Sequence, residues 1–423
     1  MAAADKARFY LERTVPDLQE LARKEVFSAS EITAIVKKRS DFEHTLNGSG
    51  SKPHDYVRYA AYEMNLDALR KKRCQRLGVK STAYSGQRTV FFILDRATQK
   101  FPADKALWMQ YIRFCQSEKA NKKLARVFTS VLRLRPRDWG LWVLAAKHYA
   151  EAQGDMPTAR GYLQRGIRFC TDERQLYVQY AKLEMVYLAK LAARRRILGL
   201  DAARVEQEEE DDENTIALPT ITAEDYASED TQGLEHVNQD MLDKLAEAPM
   251  LQGAVPITIF DSSMKQFHNE PALAETFYDV CNDFDDVEAI QRVQQHVLQH
   301  LDSVAPDSAE QVICKAKQAL HGVDPRSVEF PAALGKSLAI VRHAESNMPP
   351  TRAQLLAEKV ILTLLPYLQQ QDDLDDAVNQ VIQATVKSNV KRLAGGSLKP
   401  LFKRLQTAGR EDDIKTLQTL QWR

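Results

Sequence analysis

A chain of 423 residues with 44% apolar and 27% charged side chains has the make-up of a globular protein with room for roughly two or three domains. Sixteen glycines and sixteen prolines are too few for a collagen-like or β-rich chain. The 58 Lys and Arg balance 58 Asp and Glu, but residues 1–200 hold 38 bases against 20 acids and residues 201–423 the reverse, so only the first half would attract nucleic acid or acidic tails.

No membrane helix is expected, because the densest apolar run, at 360–368, falls far short of the ~20 residues a span requires. The opening MAAADKARFY has no apolar core of the secretory type. Five cysteines, at 74, 115, 170, 281 and 314, make no CxxC pair, which fits reduced thiols in the cytosol or nucleus.

Residues 5–46 read as two helices. The first, over 5–25, carries Phe9, Leu11, Val15, Leu18 and Leu21 at helical spacing. Ser28 and Glu31 then form a capping-box start, and the helix that follows should bury Ile32, Ile35, Val36 and Phe42. NGSGSKP at 47–53 is a loop; its NGS triplet fits a glycosylation pattern that has meaning only in a secreted chain.

From 54 to about 198 the sequence repeats. A first helix recurs as Tyr56, Tyr59, Tyr62, Glu63; as Trp108, Tyr111, Phe114; as Trp142, Ala145, His148; and as Tyr177, Tyr180, Leu183, Glu184. Between these lie second helices, in which Ile93, Phe128 and Tyr162 correspond, and Pro102 and Pro136 close two of them at matching positions. Steps of 34 and 35 residues point to stacked helical pairs. Residues at i, i+3 and i+6 drift only ~60° around a helix, so each first helix presents a broad aromatic face to its partner helix and to the next repeat.

EQEEEDDE at 206–213 breaks this texture, and 16 acids face two bases over 201–250. Self-repulsion and the shortage of apolar groups predict a disordered acidic linker there, with folding back onto the basic repeats as an alternative. Order resumes at GAVPITIFDSSMKQF. Beyond it helices are expected at 271–284, 286–301, 306–320, 329–345, 351–371, 374–394, 397–409 and 411–423, separated by short turns. The expected architecture is an all-α solenoid of two blocks: an N-terminal helical domain at 1–53, repeats at 54–200, the acidic linker at 201–250 and a C-terminal block at 251–423.

Chemistry-bearing motifs are sparse. Gly335-Lys336-Ser337 ends like a phosphate loop, but Phe330 stands where its first glycine belongs and no strand precedes it. His296 and His300 sit one turn apart and could both reach a metal, yet no third ligand or glutamate base accompanies them. Glu63 and Glu184 close the first helices of repeats, where local helix contacts explain them better than acid–base work. No active site, metal site, cofactor or small-molecule substrate is expected.

The softer signal is basic: Lys71, Lys72, Arg73, Arg76 and Lys80 cluster after the first repeat helix, Lys37, Lys38 and Arg39 lie upstream, and Arg194, Arg195 and Arg196 precede the acidic run. Such clusters suit contacts to RNA phosphates, nuclear import or protein contact, or plain solvation of a helix. They lack the interleaved aromatics of base-stacking surfaces.

The first-helix pattern W-x-x-Y-x-x-F/L-E and the second-helix pattern A-R-x-x-Y/F, seen in WMQYIRF, LYVQYAKLE, LARVF and TARGY, resemble the HAT (half-a-TPR) repeat. ARFYLERTVPDLQELARKEVFSASEITAIVKKRSDFEHTL and DYVRYAAYEMNLDALRKKR resemble the opening domain of the U-three small nucleolar RNA-associated protein six family, and GAVPITIFDSSMKQF is similar to its continuation. The resemblance implies a non-catalytic, nucleolar HAT-repeat scaffold in the nucleus. That family belongs to the UTP-B subcomplex, beside WD-type β-propeller subunits. The subcomplex joins the U-three small nucleolar ribonucleoprotein in the small-subunit processome on pre-ribosomal RNA and supports the early cleavages towards 18S rRNA. A HAT scaffold of pre-mRNA splicing or 3′-end processing, and a direct RNA-binding repeat protein, are the alternatives.

Overall fold

The computed structural model describes residues 3–48, 50–79, 85–197, 252–284, 287–369, 374–394, 399–407 and 410–422. Every regular element among them is a helix, so the chain is all-α as expected. The acidic linker expected over 201–250 lies outside the described residues, as does Lys80. The chain divides into two compact units, residues 1–145 and 146–423.

In the first unit, helices α1 (Ala3–Glu12), α2 (Val15–Arg23) and α3 (Ala29–Asn47) lead into the long α4 (Pro53–Leu77). The single helix expected at 5–25 is therefore two. The break has local causes: the Thr14 hydroxyl donates to the Leu11 carbonyl at 2.8 Å, and Pro16, at the second position of α2, has no amide with which to continue α1. Phe9, Val15 and Val36, expected in the core, are 51%, 42% and 42% exposed. Leu18, Val26, Phe27, Ile35 and Cys74 form that core instead. The capping box stands as read: the Ser28 hydroxyl accepts from the Glu31 amide at 3.3 Å, and the Glu31 carboxylate accepts from the Ser28 amide at 2.9 Å.

Helices α5 (Ser85–Lys100), α6 (Lys105–Ser117), α7 (Asn121–Leu134) and α8 (Trp139–His148) follow. Each of α4 to α7 packs on its neighbour in sequence. Pro102 and Pro136 do more than stop α5 and α7: their carbonyls accept the indole N–H of Trp108 and Trp142, at 3.0 and 2.8 Å. Both tryptophans are 95% buried with their one polar atom satisfied. Tyr111, Ile112, Leu124 and Phe128 fill the layer between α6 and α7.

The second unit opens with a π-helical turn at Tyr149–Gln153, closed by Gly154 at φ +68°, and Tyr149 stacks on Tyr162 of α9 (Met156–Phe169). Helix α10 (Arg174–Ile197) precedes the acidic stretch, and α11 (Ala254–Gln266) and α12 (Pro271–Cys281) come after it. All three nevertheless pack together. Met185 meets Cys281 at 4.0 Å between sulfurs, and Tyr177 lies edge-on to Phe267. Gly253 makes the entry into α11 possible: at φ +86°, a Cβ there would lie 2.7 Å from the Ala289 carbonyl oxygen.

Helices α13 (Glu288–Val304), α14 (Ala309–Gln318), α15 (Phe330–Asn347), α16 (Pro350–Gln369), α17 (Asp376–Ala394), α18 (Lys399–Thr407) and α19 (Glu411–Trp422) complete the unit, close to their expected places. Helices α10, α12, α14 and α16 succeed one another as a row, each touching the next, with α11, α13, α15 and α17 packed beside them.

Truncating Trp108 to alanine should lower the unfolding free energy by about 3–5 kcal/mol. Trp108→Phe, which keeps most of the apolar contact and gives up the bond to the Pro102 carbonyl, should cost only about 1 kcal/mol. Urea titration of the two variants checks the difference.

Candidate functional site

Helix α4 carries the main basic cluster, and the fold sorts it into two groups. Arg73 turns inward. Its guanidinium donates to both carboxylate oxygens of Glu31 at 2.8 Å and to the Val26 carbonyl at 3.1 Å, and lies 4.8 Å over the Phe27 ring. It clamps the start of α3 onto α4. The hydrogen bonds from Arg73, with the Ser28 amide next, hold the Glu31 carboxyl down to about 2.

Lys71 is also committed, at 2.9 Å from Asp67 and 3.6 Å from Glu118; the Asp67 bond chiefly raises its pKa above the ordinary lysine value. Lys72 and Arg76, one helical turn apart, face solvent and form no ion pair among the described residues. Arg194, Arg195 and Arg196 form the last turn of α10, with Arg194 and Arg196 exposed and Arg195 half-buried. Bases at a helix C-terminus favour the carbonyl end of its dipole, so this cluster also serves α10 itself.

Beneath these exposed bases lies a second set of charges that takes no part in any surface. Arg39, read from the sequence as part of a basic run, is 7% exposed and its fork grips Glu63, itself 1% exposed, through two bonds of 2.8 Å. Burial opposes the charge on Arg39, and Glu63 overcomes it, raising the guanidinium pKa. Arg160 holds Glu184 in the same bidentate manner at 2.6 and 2.7 Å. Each pair spans 24 residues and joins a helix to the next, α3 to α4 and α9 to α10. Glu63 and Glu184 are thus helix-to-helix joints rather than local contacts. A third joint ties Glu43 of α3 to Arg96 of α5 at 2.9 and 3.0 Å, with the Arg96 guanidinium 4.2 Å over the Tyr10 ring.

The remaining chemistry is inert. All five cysteines are buried and unpaired, and burial pushes the Cys115 and Cys281 thiols up to about 12, far from a thiolate at neutral pH. His296 donates to or accepts from Asp261 at 2.8 Å, and His300 lies edge-on to Phe260. No group of three potential metal ligands occurs among the described residues. Gly335, Lys336 and Ser337 lie inside α15, with Ser337 buried, so their amides belong to the helix. No helix among the described residues is long and apolar enough to cross a membrane.

Sequence reading passed over one basic element. Positions 119–137 hold seven bases and no acid, spread along α7 and its flanks so that no two adjacent turns look like a cluster. Counting charge per helix rather than per run would have found it. The α7 face that carries Lys123 and Arg126 borders an open groove of about 430 Å³, across which lies α5.

Residues 11–92, which contain the Leu18 core, the capping box and the Arg39–Glu63 joint, match the family model described as U3 small nucleolar RNA-associated protein 6. The protein of that name from Schizosaccharomyces pombe is 32% identical over 252 residues, 56% of this chain and 52% of its own length. The Homo sapiens homolog is 30% identical over 185 residues, 43% of this chain and 31% of its own. The Dictyostelium discoideum homolog is 25% identical over 289 residues, 67% and 46% respectively. The matches therefore take in about half or less of these relatives.

The contrast within α4 is testable. Above its ordinary pKa of 4.5 in the unfolded chain, the Glu31 carboxylate contributes stability, and this is lost as pH falls towards about 2. Glu31→Gln and Arg73→Ala should each flatten that part of an acid-unfolding curve. Lys72→Ser with Arg76→Ser should leave stability within about 0.5 kcal/mol of the parent.

Proposed function

We propose that this chain, which belongs to the U3 small nucleolar RNA-associated protein 6 family, acts in ribosome biogenesis as a scaffold that positions other subunits and leaves catalysis to them. The observation that carries the reading is the family match over residues 11–92, the part of the chain whose charges are most thoroughly consumed by holding helices together. The names of the relatives tie them to the U3 small nucleolar RNA. We assign this chain to the same assembly, the small-subunit processome of the nucleolus, as a member of its UTP-B subcomplex beside WD-type β-propeller subunits.

On this reading the helices form a HAT-repeat solenoid. Support comes from the Trp–Pro bond recurring at 102/108 and 136/142 and from the 24-residue Arg–Glu joint recurring at 39/63 and 160/184. Residues 1–53 are the N-terminal domain, 54–200 the repeats, 201–250 the acidic linker and 251–423 the second block. Partners lie along the grooves between helices, as helices or extended segments do in apolar clefts. The exposed Lys72, Arg76 and Arg194, with Lys80, steer the approach of RNA or acidic tails rather than reading sequence.

A tagged full chain recovered from cells at moderate salt should bring down U3 RNA together with β-propeller proteins. Recovery of splicing or 3′-end cleavage factors without U3 RNA would contradict the assignment. RNA recovered alone, and lost steeply with added salt, would favour direct RNA binding in its place.

A further inference from the structure

The groove between α5 and α7 is built from one helical stripe of each. Arg126, Val127 and Leu134 line the α7 side, Thr98 and Gln99 the α5 side, and Trp108 lies at the floor. Its charge is simpler than its composition. Asp95 on the α5 wall accepts from Lys123 at 2.8 Å and from the Tyr111 hydroxyl at 2.5 Å, so that carboxylate is already satisfied. Arg126 remains, exposed and without an ion pair among the described residues, on a helix flanked by further bases. At the other end Leu134 is 51% exposed, an apolar side chain with nothing over it in the unit. The groove therefore offers one cationic and one apolar contact.

The spacing of the two contacts selects the ligand. Eight residues along α7 separate Arg126 from Leu134, about 12 Å of helix rise. An extended peptide advances about 3.3 Å per residue and returns a side chain to the same face every second residue. Four residues thus span about 13 Å and leave both ends on one face. We propose that this groove binds an extended segment of a partner protein bearing an acidic side chain and, four residues away, a large apolar one. The acid pairs with Arg126 and the apolar group covers Leu134. A phosphate backbone fits less well, because Trp108 is 5% exposed and offers no face on which a base could stack. The inference rests on the scaffold reading above and names what the first unit would hold.

The test is fluorescence anisotropy on the purified full chain with three labelled probes. One is a Ser/Thr-rich peptide with Glu and Leu four residues apart, the second has the same composition with Glu and Leu three apart, and the third is oligouridylate. The four-residue spacing should bind at least about tenfold more tightly than the three-residue spacing. Arg126→Glu and Leu134→Asp, both at exposed positions, should each weaken it by a similar factor while leaving the circular dichroism spectrum unchanged.

Lys72→Glu with Arg76→Glu changes net charge more than Arg126→Glu does, away from the groove, and should have little effect. Equal binding of the two peptides, or equal loss in the Lys72/Arg76 variant, would reduce the effect to general attraction and overturn the proposal. So would preferential binding of oligouridylate that is lost with Arg126→Glu. If the peptides fail while the tagged chain still recovers U3 RNA, the groove assignment alone falls. If they bind as stated and U3 RNA is absent from the recovered material, the groove stands and the scaffold reading falls.

Discussion

A carboxylate taken out of water between two helices must meet a cation there or not be charged at all, and this constraint organises the helix-to-helix joints. Glu63 and Glu184 are each 1% exposed. Desolvating such a group costs several kcal/mol, and a two-bond guanidinium fork recovers most of that only in one relative placement of the helices. Apolar contact tolerates a slide of a few tenths of an ångström; the fork does not. The joints at 39/63 and 160/184 therefore act on register more than on net stability. Where the repeat pattern places Cys115 and Tyr149 in the position of the two glutamates, the joint is apolar or aromatic. The helices are thus tied by two kinds of contact, charged ones that select a register and apolar ones that supply the free energy.

The second unit repeats the principle with a network. Glu275 of α12, Lys317 of α14 and Lys359 of α16 come together between three consecutive members of one helix row, with Asp279 and Glu310 completing the set. Burial raises the Glu275 pKa against the pull of both lysines. Charges used in this way are withdrawn from any surface. What is left to meet a partner is the exposed remainder, which in the first unit is basic and carried mainly by α4 and α7. The functional reading follows from this division: buried charge holds helices in place, and exposed charge and grooves are held out at fixed positions.

The parts of this that were legible in the sequence are those governed by neighbours along the chain. Pro102, Pro136 and the Ser28–Glu31 box announce helix ends because their physics is local, and the spacing of Trp108, Tyr111 and Phe114 announces a broad buried face. The break between α1 and α2 was missed because Pro16 is as compatible with the first turn of a new helix as with a kink, and the choice depends on the Thr14 bond to Leu11. The basic cluster on α4 misled in a different way. Nothing near Arg73 in sequence shows that Glu31, 42 residues earlier, consumes it, and Arg39 looks like the middle of a solvated run until Glu63 is placed beside it. Long-range pairing decides which bases are free, and single-sequence periodicity carries no trace of it. The α7 groove escaped notice because its charge is spread rather than clustered.

The account rests on the buried joint, and a double-mutant cycle at Arg39 and Glu63 tests it most directly. Unfolding free energies of the parent, Arg39→Met, Glu63→Leu and the double variant would be measured in urea at neutral pH. Each single change leaves one charge buried without its partner and should cost about 3–5 kcal/mol, while the double change should restore most of the loss and give a coupling of at least about 2 kcal/mol. Strictly additive losses, with no recovery in the double variant, would mean that apolar packing alone places α3 on α4 and that the charged joint does not.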